Sequence, residues 1–183
     1  MKQIALDIDL GRGATLNNFL PGPNAEAFHH LRLWAGSDVR SPVPIYLWGP
    51  AGSGKTHLLR AVAQALAERG DTAGWLDASL AEPAPFDPRW RVILLDDVQA
   101  YSAVQQQAAF NWFVNAATPA GGAPCGVIAA GTQPPADLML REDLRTRLGW
   151  GHVFQLHLLD ELQRRAVLRQ HAEGRGIFLK DDV

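Results

Sequence analysis

Apolar runs and helically spaced apolar positions alternate along the chain, the pattern of βαβ units whose parallel sheet is covered on both faces by helices. Short apolar runs predict strands over Ile45 to Trp48, Thr72 to Leu76, Val92 to Leu95, Gly126 to Ala130 and Val153 to Leu158. Between them, apolar residues at three- and four-residue spacing predict helices. The first runs from Asn24, a capping residue, to Trp34 and ends at Gly36, which can adopt positive φ. The next two span His57 to Arg69, stopped by Gly70, and Ala103 to Ala117, before Pro119. A shorter, arginine-bearing helix is expected over Ala136 to Leu148, and Asp160 can cap a last one through about Gly174. The expected class is α/β, a parallel sheet of five strands between helices in a three-layer sandwich.

The two ends depart from this pattern. Gln3-Ile4-Ala5-Leu6-Asp7-Ile8 alternates in character and gives way to a Gly-rich stretch through Gly13, so residues 1–13 are expected to be a tail and linker. A single domain is expected over 14–175, and residues 176–183 carry no further packed element.

With 183 residues, 47% of them hydrophobic, the chain can bury one good core but hardly two. Its 17 basic and 19 acidic residues are interspersed and nearly cancel, which leaves no basic field for duplex DNA; direct DNA binding is not expected. No long apolar run suggests a leader or a membrane span, and the lone Cys125 has no disulfide partner, so a cytoplasmic setting is expected. Cys125 borders an apolar run and reads as a small buried residue rather than a reactive thiol. The six histidines show no close ligand cluster.

The segment Gly49-Pro50-Ala51-Gly52-Ser53-Gly54-Lys55-Thr56 satisfies the pattern G-x-x-x-x-G-K-[ST], between a predicted strand and a predicted helix. Its glycines let successive backbone N–H groups point at phosphates, and the helix N-terminus adds partial positive charge. Lys55 is placed to reach the β and γ phosphates, the Thr56 hydroxyl to ligate Mg²⁺, and His57 directly follows the loop as a further nucleotide contact.

Val92-Ile93-Leu94-Leu95-Asp96-Asp97 is an apolar strand that delivers two carboxylates to the C-terminal edge of the sheet, where ligands of open α/β sheets bind. Asp96 would hold Mg²⁺ through water. Asp97 either orients or deprotonates the attacking water, or caps the turn that follows. Thr132, after the fourth strand, either senses the γ-phosphate or is a turn residue before Gln133-Pro134-Pro135. Arg147 ends a helix ahead of Gly149. It is either an arginine finger for a nucleotide on a neighbouring subunit or a cation favourably placed at a helix C-terminus.

These elements, with Asp96-Asp97-Val98-Gln99 and Arg147-Leu148-Gly149-Trp150-Gly151, resemble the AAA+ P-loop domain of the bacterial replication initiator DnaA and its relatives over about residues 15 to 183. Thr15-Leu16-Asn17-Asn18-Phe19 and Pro21-Gly22-Pro23-Asn24 are similar to that family's segment beside the adenine, which implies a role for Phe19 and a preference for ADP or ATP. The N-terminal hexapeptide is similar to the sliding-clamp motif of the Hda-type regulatory inactivators of DnaA, and alternatively reads as an edge strand. The resemblance implies that Gln3, Ile4, Leu6 and Ile8 dock on the DNA sliding clamp. It also implies that Arg147 stimulates ATP hydrolysis in DnaA, limiting replication to one round. The implied partners are the clamp and DnaA, with DNA met only through the clamp, no membrane, and self-association open. Turnover by the chain itself stays open, with bound ADP a structural cofactor in this family. The family's helical lid, which follows the sheet, is expected to be missing from the C-terminus. Two other readings compete: a DnaA-like initiator or helicase-loader ATPase acting on DNA, which would bind it with steep salt dependence, and a P-loop small-molecule kinase, which would need a substrate pocket and a mobile basic lid.

Overall fold

Five parallel strands, β1 (Ile45–Trp48), β2 (Thr72–Leu76), β3 (Trp90–Leu95), β4 (Gly126–Gly131) and β5 (His152–Gln155), pair in the order β2-β3-β4-β1-β5. This is the arrangement of a computed structural model that describes residues 13–118 and 124–173. The hexapeptide Gln3 to Ile8 and residues 176–183 lie outside the described residues. The helices are α1 (Ala25–Gly36), α2 (Lys55–Ala67), α3 (Ala103–Ala117), α4 (Glu142–Gly149) and α5 (Glu161–Glu173).

The central strands are apolar because both of their faces are covered. Ile93 and Leu95 of β3 join Tyr46, Trp112, Phe113, Leu144 and Leu148 in a core beneath α3 and α4. On the opposite face, Val92 and Leu94 join Ile45, Leu47, Ile128, Leu31, Leu58 and Leu59 beneath α1 and α2. The period-2 alternation of strand side chains divides one run of sequence between two cores, which gives the expected three layers.

Local chemistry sets several of the boundaries. Ser102 and Gln105 form a reciprocal capping box at the start of α3, the Ser102 hydroxyl accepting from the Gln105 N–H and the Gln105 side chain accepting from the Ser102 N–H. Asp160 caps α5 in the same way with Gln163, as expected. Gly70 turns the chain after α2 at φ +80°.

Four sequence expectations are corrected. Asn24 precedes α1 but makes no capping hydrogen bond; its buried amide instead donates to the His157 carbonyl (3.0 Å) and accepts from the His157 N–H (2.7 Å). Long-range pairing has claimed the side chain that local capping would use. Helix α1 continues to Gly36, where Ser37 returns to extended backbone and no positive-φ glycine is needed. The helix expected over 136 to 148 is broken into a short 3₁₀ turn, Pro135–Asp137, and α4, because between them Leu138 is extended and Arg141, at ψ 141°, is non-helical. Strand β5 ends at Gln155 rather than continuing to Leu158: the Leu156 N–H donates to the Trp48 carbonyl, and the chain then leaves the sheet to meet Asn24. Among the described residues no helix is long and apolar enough to cross a membrane. Cys125 is buried and its thiol is pushed up to about 12 by burial, so the chemistry of a reactive thiolate is switched off, as its apolar surroundings suggested.

Candidate nucleotide site

Strand β1 feeds the loop 49–54, and α2 begins at Lys55. Gly52 and Gly54 stand at φ +81° and +96°, conformations that a Cβ makes costly. A Cβ at Gly54 would also come within 2.8 Å of the Phe19 ring. Lys55 is buried inside the loop, where its Nζ donates to the carbonyls of Gly49 and Pro50 (2.8 Å each) and, at 3.4 Å, to the Ser53 hydroxyl. Burial pushes its ammonium below the ordinary lysine value, while the carboxylates of Asp97 and Asp96 oppose the shift. The cation is thus held inside the loop by backbone carbonyls. Ala51 lies exposed on the loop's outer side.

Asp96 follows β3 and is 4% exposed. Burial pushes its carboxyl above the ordinary carboxylate range; the Thr56 hydroxyl, donating to it, pulls the other way, and neighbouring Asp97 adds to the rise. Thr56 and Asp96 therefore present two hard oxygen donors side by side, a set suited to Mg²⁺ once phosphate oxygens and water complete its octahedron. A buried carboxylate that serves a cation is a liability without it. Asp96→Asn is expected to relieve about 1 kcal/mol and so raise the melting temperature of nucleotide-free protein by about 2–4 °C for a chain of this size. The raised carboxyl value places that penalty above it, so the gap between variant and wild type should be full at neutral pH and close as pH falls through it. Calorimetric melts of both proteins across acid pH check this.

Asp97 is exposed and adopts φ +51° at the head of a 3₁₀ turn, Val98–Ala100. Its side chain makes no capping bond and instead accepts from Gln99 Nε2 at 3.2 Å. Because β3 and β4 are neighbours, Thr132 emerges beside the two acids. Thr132 is exposed, and its N–H donates to Gln99 Oε1 at 3.1 Å. Nothing local in Asp96-Asp97-Val98-Gln99 marks Gln99 for these contacts.

Phe19 stacks on Phe28 with ring centroids 5.5 Å apart and lies 5.5 Å from the His57 ring. Phe19 and His57, with Gly54, Leu159 and Val167, line a cleft of about 140 Å³ beside the loop. Leu159 and Val167 carried no sequence signal, because nothing local links α5 and the segment before it to this cleft. Arg147 lies elsewhere. It occupies the last turn of α4 with its guanidinium 5.2 Å from the Phe110 ring centroid, in the α3–α4 layer, whereas α2 covers the other face. Among the described residues no ion pair holds it.

A strand, a glycine-rich loop with a buried lysine and a helix, with a buried acid at the end of β3, separated from β1 by β4, define a P-loop domain of the AAA+ type. Residues 10–73 match the family model of the bacterial DnaA ATPase domain. An uncharacterised protein of Haemophilus influenzae is 33% identical over 189 aligned positions, covering all of this chain and 80% of that protein. Domain III of the Thermotoga maritima replication initiation protein DnaA has the same fold, with a TM-score of 0.76 at 22% identity over 93% of this chain and 78% of that one. So does the replication initiator DnaA bound to AMPPCP and single-stranded DNA, at a TM-score of 0.72 and 22% identity over 92% of this chain. The chain spans 57% of that initiator's length. Over residues 10–73 the chain is thus similar to the bacterial DnaA ATPase domain, and its fold is that of the DnaA AAA+ domain.

Proposed function

We propose that this protein is a regulatory AAA+ adaptor of the Hda type: it binds adenine nucleotide, docks on the DNA sliding clamp and stimulates ATP hydrolysis by DnaA. The observation that carries the reading is the division of labour between the two helical layers. The phosphate loop, Thr56 and Asp96 sit together at one sheet edge, while Arg147 stands apart from them with no acidic partner among the described residues.

In this reading the loop amides and Lys55 hold the phosphates, Thr56 and Asp96 hold Mg²⁺, and the Phe19–His57 cleft takes the base. The cleft of about 140 Å³ is smaller than the roughly 300–1,000 Å³ of sites that enclose a whole ligand, in keeping with a pocket for the base end only. The metal supplies charge neutralisation for the phosphates. The AMPPCP named with the similar initiator supports the nucleotide assignment. Bound ADP or ATP then stabilises the form of the protein that presents Arg147. The near-neutral composition, 17 basic against 19 acidic residues, favours an adaptor that meets DNA through the clamp over one that grips DNA itself.

Gln3, Ile4, Leu6 and Ile8 are assigned to the clamp, Gln3 by its amide and the aliphatic residues by an apolar pocket. Immobilised clamp is expected to retain the whole chain, and Gln3→Ala to bind roughly tenfold more weakly, the scale of one lost buried hydrogen-bonding group. Equal retention of both proteins would remove the tail from the mechanism. Steeply salt-dependent DNA binding without clamp would favour the initiator or loader reading instead.

A further inference from the structure

The loop that carries Thr132 is tied down from two directions. From β1 and the phosphate loop, the Gly49 N–H donates to the Gly131 carbonyl (3.3 Å) and the Tyr46 hydroxyl donates to the Gln133 carbonyl (2.7 Å). From the turn after the acids, Gln99 Oε1 accepts from the Thr132 N–H (3.1 Å) while the same amide's Nε2 donates to Asp97 Oδ1 (3.2 Å). One planar amide therefore spans both partners. Turning it to release Asp97 also withdraws its oxygen from Thr132.

There is little room for the amide to move. A Cβ at Gly131 would lie 3.2 Å from Gln99 Oε1 and 2.3 Å from the Tyr46 hydroxyl, so glycine there lets the two loops close on each other. Asp97 is the one non-glycine residue with positive φ among the described residues. Such backbone persists only where its surroundings over-determine it, and the Gln99 bond is one of those restraints.

We propose that Gln99 is a positioning residue that links the Thr132 loop to the Asp97 carboxylate, so that a γ-phosphate seated beside Thr132 aligns Asp97 for hydrolysis. The inference rests on the nucleotide-site reading above. In the step concerned, the oxygen of a water bonds to the γ-phosphorus and the bond from phosphorus to the β–γ bridging oxygen breaks. Its electron pair leaves on ADP, and the water proton passes to Asp97 and then to solvent. Gln99 touches neither the phosphate nor the water; it acts through Asp97.

Two variants separate this role from a merely structural one. Gln99→Glu keeps an acceptor for the Thr132 N–H but cannot donate to Asp97 and sets a like charge beside it; Gln99→Met removes both bonds at similar size. Each is compared with wild type by single-turnover hydrolysis of radiolabelled ATP with Mg²⁺ under excess protein, and by ADP and ATP affinities from fluorescent-nucleotide titration. Wild type should hydrolyse its bound ATP. Both variants should be slower by about ten- to a hundredfold, the scale for a misplaced catalytic group, with ADP affinity held within about twofold. Unchanged rates would overturn the proposal, as would rate and ADP affinity falling together, or a wild type that binds ATP without hydrolysing it. A wild type that binds neither nucleotide would instead sink the nucleotide-site reading itself.

Discussion

Replacing Arg147 by alanine is expected to leave nucleotide and clamp binding intact while stimulation of ATP hydrolysis by DnaA falls on the order of 10³- to 10⁵-fold, toward the unstimulated rate. The size of the effect comes from where the charge acts. In its own subunit the guanidinium rests over Phe110 at the C-terminal turn of α4. There it contributes about 0.5–1 kcal/mol through the ring and about 0.3–1 kcal/mol through the helix terminus. Against the transferring phosphoryl group of a partner, the same charge accounts for about 4–7 kcal/mol of barrier. Loss of Arg147 should therefore cost little stability and almost all stimulation. Arg147→Lys keeps a charge but loses the planar fork, so it should recover only a small part. The check is phosphate release by DnaA with wild-type or variant protein at equal clamp occupancy. Undiminished stimulation by Arg147→Ala would take this residue out of the mechanism.

The architecture was legible in the sequence to the extent that local pattern determines it. The apolar run ending in Asp96-Asp97 and the glycine-rich loop with its Lys55 declare their structure, because a fully covered strand and a glycine-rich strand-to-helix loop each leave few alternatives for composition. What local pattern could not give are the features made by distant parts of the chain. Asn24 looked like a cap, yet its amide is spent on His157, 133 residues away. The apolar character of Leu156 to Leu158 extended the expected strand, but the chain leaves the sheet there to reach Asn24. The double role of Gln99 depends on β4 lying next to β3, and strand order is written in no local spacing. Val167 reaches the cleft beside Phe19 only because α5 returns to it, and Leu159 because the chain just ahead of α5 does.

The second large effect concerns Lys55. Lys55→Ala is expected to weaken ADP and ATP binding by about a hundredfold or more, since removing one member of a desolvated, hydrogen-bonded charge pair costs about 2–5 kcal/mol. Its apo fold should not suffer in proportion. The ammonium is disfavoured by its burial, and what its removal leaves unpaired are the carbonyls of Gly49 and Pro50 at a loop that water reaches through exposed Ala51 and Gly52. A melting temperature close to that of wild type, beside lost affinity, distinguishes a missing phosphate contact from a missing fold.

Titration calorimetry of the folded wild-type protein with ADP and ATP in the presence of Mg²⁺ tests the central claim most directly. The expected result is saturable binding of one nucleotide per chain that Lys55→Ala removes. Wild-type protein that melts cooperatively yet gives no heat of binding with either nucleotide would contradict it.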